Sequence, residues 1–376
     1  MIVAAGRVLT PFEEFTPGYV VVEEGRVAEV GRGIPPRPDQ HYPDGVLIPG
    51  FVDLQVNGAR GVDFLHCDAS SLPRAQRYLA STGTTAFLAT LVTSPPEQAE
   101  AACRVLQRAA PEAGAEVAGL HVEGPVLNPA RRGAHDPRWV RAAVDPEVRD
   151  LYRGMSGFLR LVTLAPELPG AHDLVRWLLE RGVVVSAGHS DATFEEAQDA
   201  FQAGVRMVTH LFNAMRPMHH REPGLAGAAL QEGAWVCGIV ADGVHVHPAF
   251  FRLAYRVLGA GRLALVTDAI SAAGCGSGRF TLGSQEVEVG RDGAPRLADG
   301  TLAGSVLRMD QAVANAVRWG VPLLDAVRMA TATPARAAGL LDRGVLRPGS
   351  RADLCVLVGH TPALVLAGGR RVWPGP

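Results

Sequence analysis

Four short apolar runs in this chain each end on a side chain that can bind a metal or move a proton. They are Val117–Pro125, Val183–Ser190, Met207–Asn213 and Leu263–Asp268. Read as strands, they place Glu123, His189, His210 and Asp268 at or just past strand C-terminal ends. In a parallel α/β barrel those ends share one mouth, where barrel active sites are built. One carboxylate and two imidazoles make a three-ligand catalytic metal set with an open fourth position for water. A metal so held lowers the pKa of a water from about 15.7 toward roughly 7. Asp268, beside that water, is then the candidate acid/base.

Each of these residues also has an ordinary reading. A lone histidine at a strand end is more often a hydrogen-bonded structural residue. Three sites in phase, each preceded by an apolar run, outweigh that. Glu123 adds its own argument, because a carboxylate between Gly-Leu-His-Val and Gly-Pro is costly to bury without a cation. His121 lies two residues earlier on the same face and reads as support or core rather than ligand. Asp53, Gln55 and Asn57 share a face of the first strand. They lack the His-x-His pair that would hold a second metal. The chain also contains no lysine. That excludes a metal-bridging carboxylated lysine, a lysine Schiff base and a P-loop lysine. One metal per site is the expectation. The loops after the strands carry Ala134-His135 behind Arg131-Arg132, Asn213-Ala214, Arg221-Glu-Pro-Gly224 and Asp242-Gly-Val-His245. Arginine, histidine and backbone amides converging on one mouth suit an anion such as phosphate.

Eight apolar runs bounded by Gly or Pro could position these groups. They are Val46–Val56, Thr84–Val92, Val117–Val122, Phe158–Leu164, Val183–Ala187, Arg206–Leu211, Trp235–Val240 and Leu263–Thr267. Helical patterns fall between or after them at Leu72–Ser81, Pro96–Ala109, Pro137–Leu151, Gly170–Arg181, Thr193–Ala203, Pro248–Leu258, Val306–Trp319 and Pro322–Ala332. Buried parallel strands read as near-continuous apolar runs, as these do. The ends alternate instead. Tyr19–Val30 reads as a hairpin through Glu24-Gly25, and Ala352–Val358, Ala363–Ala367 and Gly368–Val372 match it in the tail. Phe280–Leu302 reads as a hairpin inserted after the eighth strand. The fold expected is α/β: a (β/α)8 TIM-like barrel at 49–340, with a small β-sandwich domain formed by both termini, 1–48 and 341–376.

The 376 residues are 47% hydrophobic, enough for a large core, and the formal net charge is −2. Nothing there favours a nucleic-acid partner. The five cysteines are odd in number and form no CxxC pair, as expected of reduced thiols in a cytoplasmic protein. The start lacks a signal-peptide pattern, and no apolar stretch reaches the roughly 18 residues of a membrane span.

The chain resembles one family closely. Its motifs occur in family order: Pro49-Gly-Phe-Val-Asp53, His121-Val-Glu-Gly-Pro125, Ala187-Gly-His-Ser190, Thr209-His-Leu-Phe-Asn-Ala-Met215, Arg221-Glu-Pro-Gly-Leu-Ala-Gly227, Asp242-Gly-Val-His245, Val266-Thr-Asp-Ala269 and Leu346–Asp353. The family is that of the N-acetylglucosamine-6-phosphate deacetylases in the amidohydrolase superfamily. The resemblance implies hydrolysis of N-acetyl-D-glucosamine 6-phosphate to glucosamine 6-phosphate and acetate, in amino-sugar catabolism or cell-wall recycling. It implies one divalent ion per subunit on Glu123, His189 and His210, zinc first, with Fe²⁺, Mn²⁺ or Co²⁺ as alternatives. It assigns proton transfer to Asp268 and carbonyl polarisation to His135. Asn213, Ala214, Arg221 and His245 would hold the sugar phosphate, Ala134 and Asp242 would contact substrate, and the Leu302-Ala303-Gly304 loop would close over the sugar. Some members carry His-x-His on the first strand and bind two metals; Gln55 and Asn57 put this chain with the single-metal branch. A homodimer is implied, with Arg221 or His245 able to act across it. The alternatives are the galactosamine epimer as substrate, or a non-catalytic binding protein on the same fold.

Overall fold

The protein is described by a computed structural model covering residues 1–231 and 233–374. Eight parallel strands follow one another around the centre: Phe51–Val56, Thr84–Val92, Glu116–Glu123, Leu159–Leu164, Val184–Ala187, Met207–Val208, Val236–Val240 and Leu263–Val266. Their residues are almost all buried, as strands covered on both faces must be. The last strand meets the first and closes the barrel. Asp268 N donates to Gln55 O at 2.8 Å, and Asn57 N donates to Ala269 O at 2.7 Å. Below them, the buried Asp53 carboxylate accepts from Thr267 Oγ1 at 2.6 Å and from Thr267 N at 3.2 Å. The seam between the two strands is thus tied partly by a side chain.

A helix follows each strand and buries one face against the barrel. The helix Phe194–Ala203 shows how local sequence sets these elements. Thr193 caps it by accepting from Glu196 N, while Glu196 accepts from Thr193 N. The Asp191-Ala-Thr-Phe-Glu-Glu segment announces that reciprocal capping box. Among the described residues, no helix is long and apolar enough to cross a membrane.

The structure departs from the sequence reading in three elements. The run Val46–Val56 is two strands in two sheets: Gln40–Pro49 joins the terminal sheet and Phe51–Val56 opens the barrel. Gly50 is the corner, where a Cβ would lie 2.2 Å from Thr85 Cγ2. The helix expected over 137–151 is instead a 3₁₀ turn, Pro137–Trp139, and a helix, Pro146–Gly154. Proline suits only a first helical turn, and Asp145 caps it by accepting from Glu147 N at 3.0 Å. A helix at Gly224–Gln231 escaped the pattern altogether. It is small and apolar on most sides, with five residues buried, so it shows no amphipathic stripe.

Both termini build a second, eight-stranded mixed sheet. Gly18–Glu23 and Arg26–Arg32 form its hairpin, and Leu354–Val358, Thr361–Ala367 and Arg370–Trp373 its C-terminal half. Glu24 and Gly25 turn the hairpin with φ of 48° and 76°, the left-handed pair that a type I′ turn demands. The segment after the eighth strand forms a small antiparallel sheet, Gly278–Leu282, Gln285–Val289 and Pro295–Arg296. Its core of Leu282, Val287, Val289 and Ala303 sits beside the barrel mouth.

A buried charge network ties the C-terminal half of the large sheet to the barrel. Arg343 reaches Asp353 Oδ2 at 3.1 Å and Glu116 Oε1 at 2.5 Å; Arg351 reaches Asp353 Oδ1 at 3.0 Å and Glu116 Oε2 at 2.6 Å. Breaking a buried pair from one side typically costs about 3–5 kcal/mol. Arg343 keeps Glu116, so Asp353→Ala should lose about 3 kcal/mol in urea unfolding. A loss below about 1 kcal/mol, the worth of an exposed pair, would mean the network does not anchor the sheet.

Candidate active site

The third, fifth and sixth strands deliver three side chains to one point. Glu123 is the last residue of its strand. His189 and His210 lie two residues beyond theirs. Glu123 Oε1 is 3.2 Å from His189 Nε2 and 3.1 Å from His210 Nε2, and the two nitrogens are 3.0 Å apart. All three residues are buried. His189 Nδ1 lies 2.9 Å from Arg131 O. A carbonyl only accepts, so Nδ1 carries the proton and the Nε2 lone pair faces Glu123.

These three groups make the one metal-capable cluster found among the described residues. A tetrahedral site with bonds of about 2.0–2.1 Å has edges of about 3.3 Å, close to the three separations. The His189 Nε2 lone pair, this near a carboxylate oxygen, sets lone pairs face to face, and a cation relieves that. The donor set therefore fits a divalent ion. Burial would raise the Glu123 carboxyl, but contact with the imidazoles of His135, His189 and His210 outweighs it and holds the group well below its usual range. Burial pushes the His189 imidazole down to about 4. Both directions suit metal ligation, which needs carboxylate and neutral imidazole.

Asp268 lies two residues past the eighth strand, buried, with Asn57 Nδ2 donating to its Oδ1 at 2.8 Å. Burial, then the charge of Glu123, push its carboxyl up to about 6. His189, His210 and Asp268 have φ of 50°, 30° and 50°. Such left-handed non-glycine residues cost about 1–3 kcal/mol each and gather at functional sites. Here the turn swings each side chain from its strand into the mouth.

His135 enters from the loop after the third strand. Its Nε2 is 3.7 Å from Glu123 Oε2, and its ring meets His189 edge to face at 4.5 Å. These groups line a cavity of about 390 Å³, within the size of small-ligand sites. Ala134, Asn213, Ala214, His245, Leu302 and Gly304 also line it.

Three expected contacts lie elsewhere. Asp242 does not line the cavity: its Oδ2 is 2.6 Å from His245 Nδ1, and its Oδ1 accepts from the 244 and 245 amides. Burial would raise its carboxyl, but the His245 contact prevails and lowers it. Ala303 is fully buried in the core of the small sheet, so its side chain turns away from the sugar side. Arg221 stands exposed on a turn closed by reciprocal His219 and Glu222 backbone bonds, beside His220 Nε2 at 3.1 Å. His121 is satisfied away from the cluster, by Leu54 O at 3.0 Å and Thr163 Oγ1 at 2.7 Å.

Sequence reading missed several residues that hold this site. Gln55 Nε2 donates to Glu123 Oε1 at 3.0 Å. Arg131 fixes His189 through its carbonyl, while its guanidinium pairs with Asp191 at 2.7 Å. Thr93 contacts His135 Nδ1 through both N and Oγ1. Thr93 had a legible signal: it is the first residue past the second apolar run, as Asp268 closes the eighth.

The amidohydrolase family matches residues 46–372. The human N-acetylglucosamine-6-phosphate deacetylase is 40% identical over 99% of this chain and 90% of its own length. That of Bacillus subtilis is 35% identical over 93% and 91%. A crystal structure of the Mycobacterium smegmatis deacetylase superposes with TM-score 0.93 at 37% identity, covering 99% of this chain and 100% of that one. This chain belongs to the N-acetylglucosamine-6-phosphate deacetylases of the amidohydrolase family. It is a hydrolase. The family and the donor cluster together indicate a divalent metal in the mouth. More distant structures, such as an enamidase at 15% identity and TM-score 0.62, share the fold alone.

If these donors bind the ion, adding Zn²⁺ to chelator-treated protein should stabilise it by about 2.7 kcal/mol at a hundredfold excess over Kd. His189→Ala should abolish most of that gain. An equal response to zinc in variant and parent, measured by calorimetry, would remove His189 from the ligand set.

Proposed function

We propose that this chain hydrolyses the acetamide of N-acetyl-D-glucosamine 6-phosphate to D-glucosamine 6-phosphate and acetate. The observation that carries the reading is the meeting of Glu123, His189 and His210 with Asp268 in one cavity. Full-length relatives of that activity support it. An aspartate-to-alanine variant of the Mycobacterium smegmatis protein is a complex with N-acetyl-D-glucosamine-6-phosphate.

Glu123, His189 and His210 would hold one divalent ion, Zn²⁺ in our reading of two imidazoles and a carboxylate. When bound, the ion supplies Lewis-acid polarisation and a more acidic water. Asp268 accepts the proton of the attacking water and returns it to the leaving amine, while Asn57 keeps its carboxylate aimed. Burial of Asp268 brings its pKa toward the range where one carboxyl serves as base and then acid. His135 donates a hydrogen bond to the acetamide oxygen. Asn213, Ala214 and His245 hold the sugar phosphate, Asp242 aims His245, and the 302–304 backbone covers the sugar. Gln55 and Asn57 stand where a His-x-His pair would hold a second metal, so we assign one.

We read the working unit as a homodimer. Phe250, Leu253 and Val257 leave 46%, 41% and 48% of their surfaces exposed along one side of the helix Pro248–Leu258. An exposed apolar stripe of that kind suits a contact surface. Arg221, exposed and off its own cavity, would then reach the phosphate in the partner. Co-expressed Arg221→Ala and Asp268→Asn chains form mixed dimers with one complete site. Their acetate release should exceed the sum of the two separate variants; no excess would return Arg221 to its own subunit or to solvent. We place the enzyme in the cytoplasm, in amino-sugar catabolism or cell-wall recycling.

Asp268→Asn should keep the fold and the metal but lose about 10²–10⁴-fold in turnover. The amide preserves shape yet cannot accept the proton. More than roughly a tenth of parental turnover at full metal occupancy would refute the assignment. Parallel assays with the galactosamine epimer decide between the two sugars: the glucosamine assignment falls if the epimer turns over faster.

A further inference from the structure

The contacts of His135 settle which ring nitrogen carries its proton. Thr93 N lies 3.2 Å from His135 Nδ1. A backbone N–H can only donate, so Nδ1 must accept. Thr93 Oγ1 lies closer still, at 2.8 Å from the same nitrogen. That hydroxyl has one proton and two acceptors in reach, the other being Glu123 O at 3.2 Å. If the proton went to Glu123 O, two lone pairs would face each other across 2.8 Å. The hydroxyl therefore donates to Nδ1, which receives two hydrogen bonds from one residue. The proton of neutral His135 is left on Nε2. The carboxylate oxygen it faces, Glu123 Oε2, stands at 3.7 Å, beyond hydrogen-bond reach. The Nε2–H is thus free in the cavity wall, next to the metal-capable cluster.

We propose that Thr93 is the positioning residue that fixes His135 in its Nε2–H tautomer, so that His135 presents a hydrogen-bond donor to the acetamide oxygen and carries no proton between substrate atoms. The proposal rests on the deacetylase reading for the identity of that oxygen. The tautomer stands on the geometry alone. With Nδ1 occupied by two donors and Nε2 already protonated, neutral His135 has no free lone pair to act as a base. Proton transfer then belongs to Asp268 alone. The arrangement also accounts for Thr93, at the end of the second strand, being buried with its polar atoms turned toward the mouth. Glu123, a cluster donor, is the register partner of Val92, the residue before Thr93, so Thr93 stands beside the cluster while it holds His135.

Two measurements test this. The first is nitrogen NMR of metal-loaded protein labelled with ¹⁵N-histidine, with His135→Gln used to assign the resonances. Nδ1 of His135 should show the shift of an unprotonated acceptor and Nε2 that of a protonated nitrogen. A protonated Nδ1 overturns the proposal, and this result does not depend on any substrate. The second is kinetic. Thr93→Val removes the hydroxyl while keeping the shape and the amide. Losing one hydrogen bond should lower kcat by roughly 3- to 10-fold, with KM for the phosphorylated sugar within about twofold, because Thr93 acts through the reacting centre. Thr93→Ser should restore kcat. A parental kcat in Thr93→Val, or a loss confined to KM, overturns the positioning role. So does failure of Thr93→Ser to recover turnover. If the parent releases no acetate from the sugar phosphate, the deacetylase reading fails, while the NMR result still decides the tautomer.

Discussion

The whole mouth is arranged around one buried carboxylate oxygen. Glu123 Oε1 has two imidazole nitrogens and a glutamine amide within 3.2 Å. Such a charge is tolerable in an apolar barrel only if it is paired and hydrogen-bonded. Gln55 supplies a neutral donor and the histidines supply nitrogen ligands, so the remaining requirement is a cation. The neighbours follow from it. Arg131 O must hold the His189 proton on the far nitrogen, and burial, then the negative charge of Glu123, lifts the Asp268 carboxyl. The site's acid/base chemistry is thereby linked to the same atom that completes the metal donors.

Barrel geometry alone does not achieve that convergence. His189, His210 and Asp268 lie just past their strands, where the chain can leave the extended path. Left-handed φ at these three residues takes it off that path at a local cost. The cost is met by the surrounding packing, because each turn follows a buried strand pinned by its neighbours. Phe212 and Ala214, also left-handed, extend the same distortion along the loop that carries Asn213. Left-handed non-glycine backbone is thus gathered where side chains turn into the mouth.

Much of this was legible because parallel strands advertise themselves. A fully buried strand reads as an apolar run, and a carboxylate or imidazole closing such a run is costly to bury unless it binds something. Glu123, His189, His210 and Asp268 could be found in that way, as could the eight barrel strands, while the terminal sheet was legible from alternation. The misses have physical causes. Gly224–Gln231 carries no stripe because most of it is buried. The run from Val46 to Val56 gives no sign of changing sheets except Gly50, whose role depends on Thr85 from another strand. Asp242 and Arg221 have the right chemistry for phosphate, but direction is a tertiary property. One turned onto His245 and the other into solvent. Tautomers, likewise, are decided by carbonyls and amides distant in sequence.

The first strand shows why site and fold cannot be separated in this protein. Asp53, Gln55 and Asn57 alternate along one face, and each does a different task within the same seam. Asp53 clasps Thr267, the residue before Asp268. Gln55 closes the barrel with its carbonyl and steadies Glu123 with its amide. Asn57 closes the barrel with its backbone and aims Asp268 with its side chain. A second metal held by histidines at 55 and 57 would have replaced both amide contacts. With amides there instead, the first strand acts on the reaction through orientation. Its register against the eighth strand sets how far Asp268, our proposed proton carrier, stands from Glu123, our proposed metal ligand.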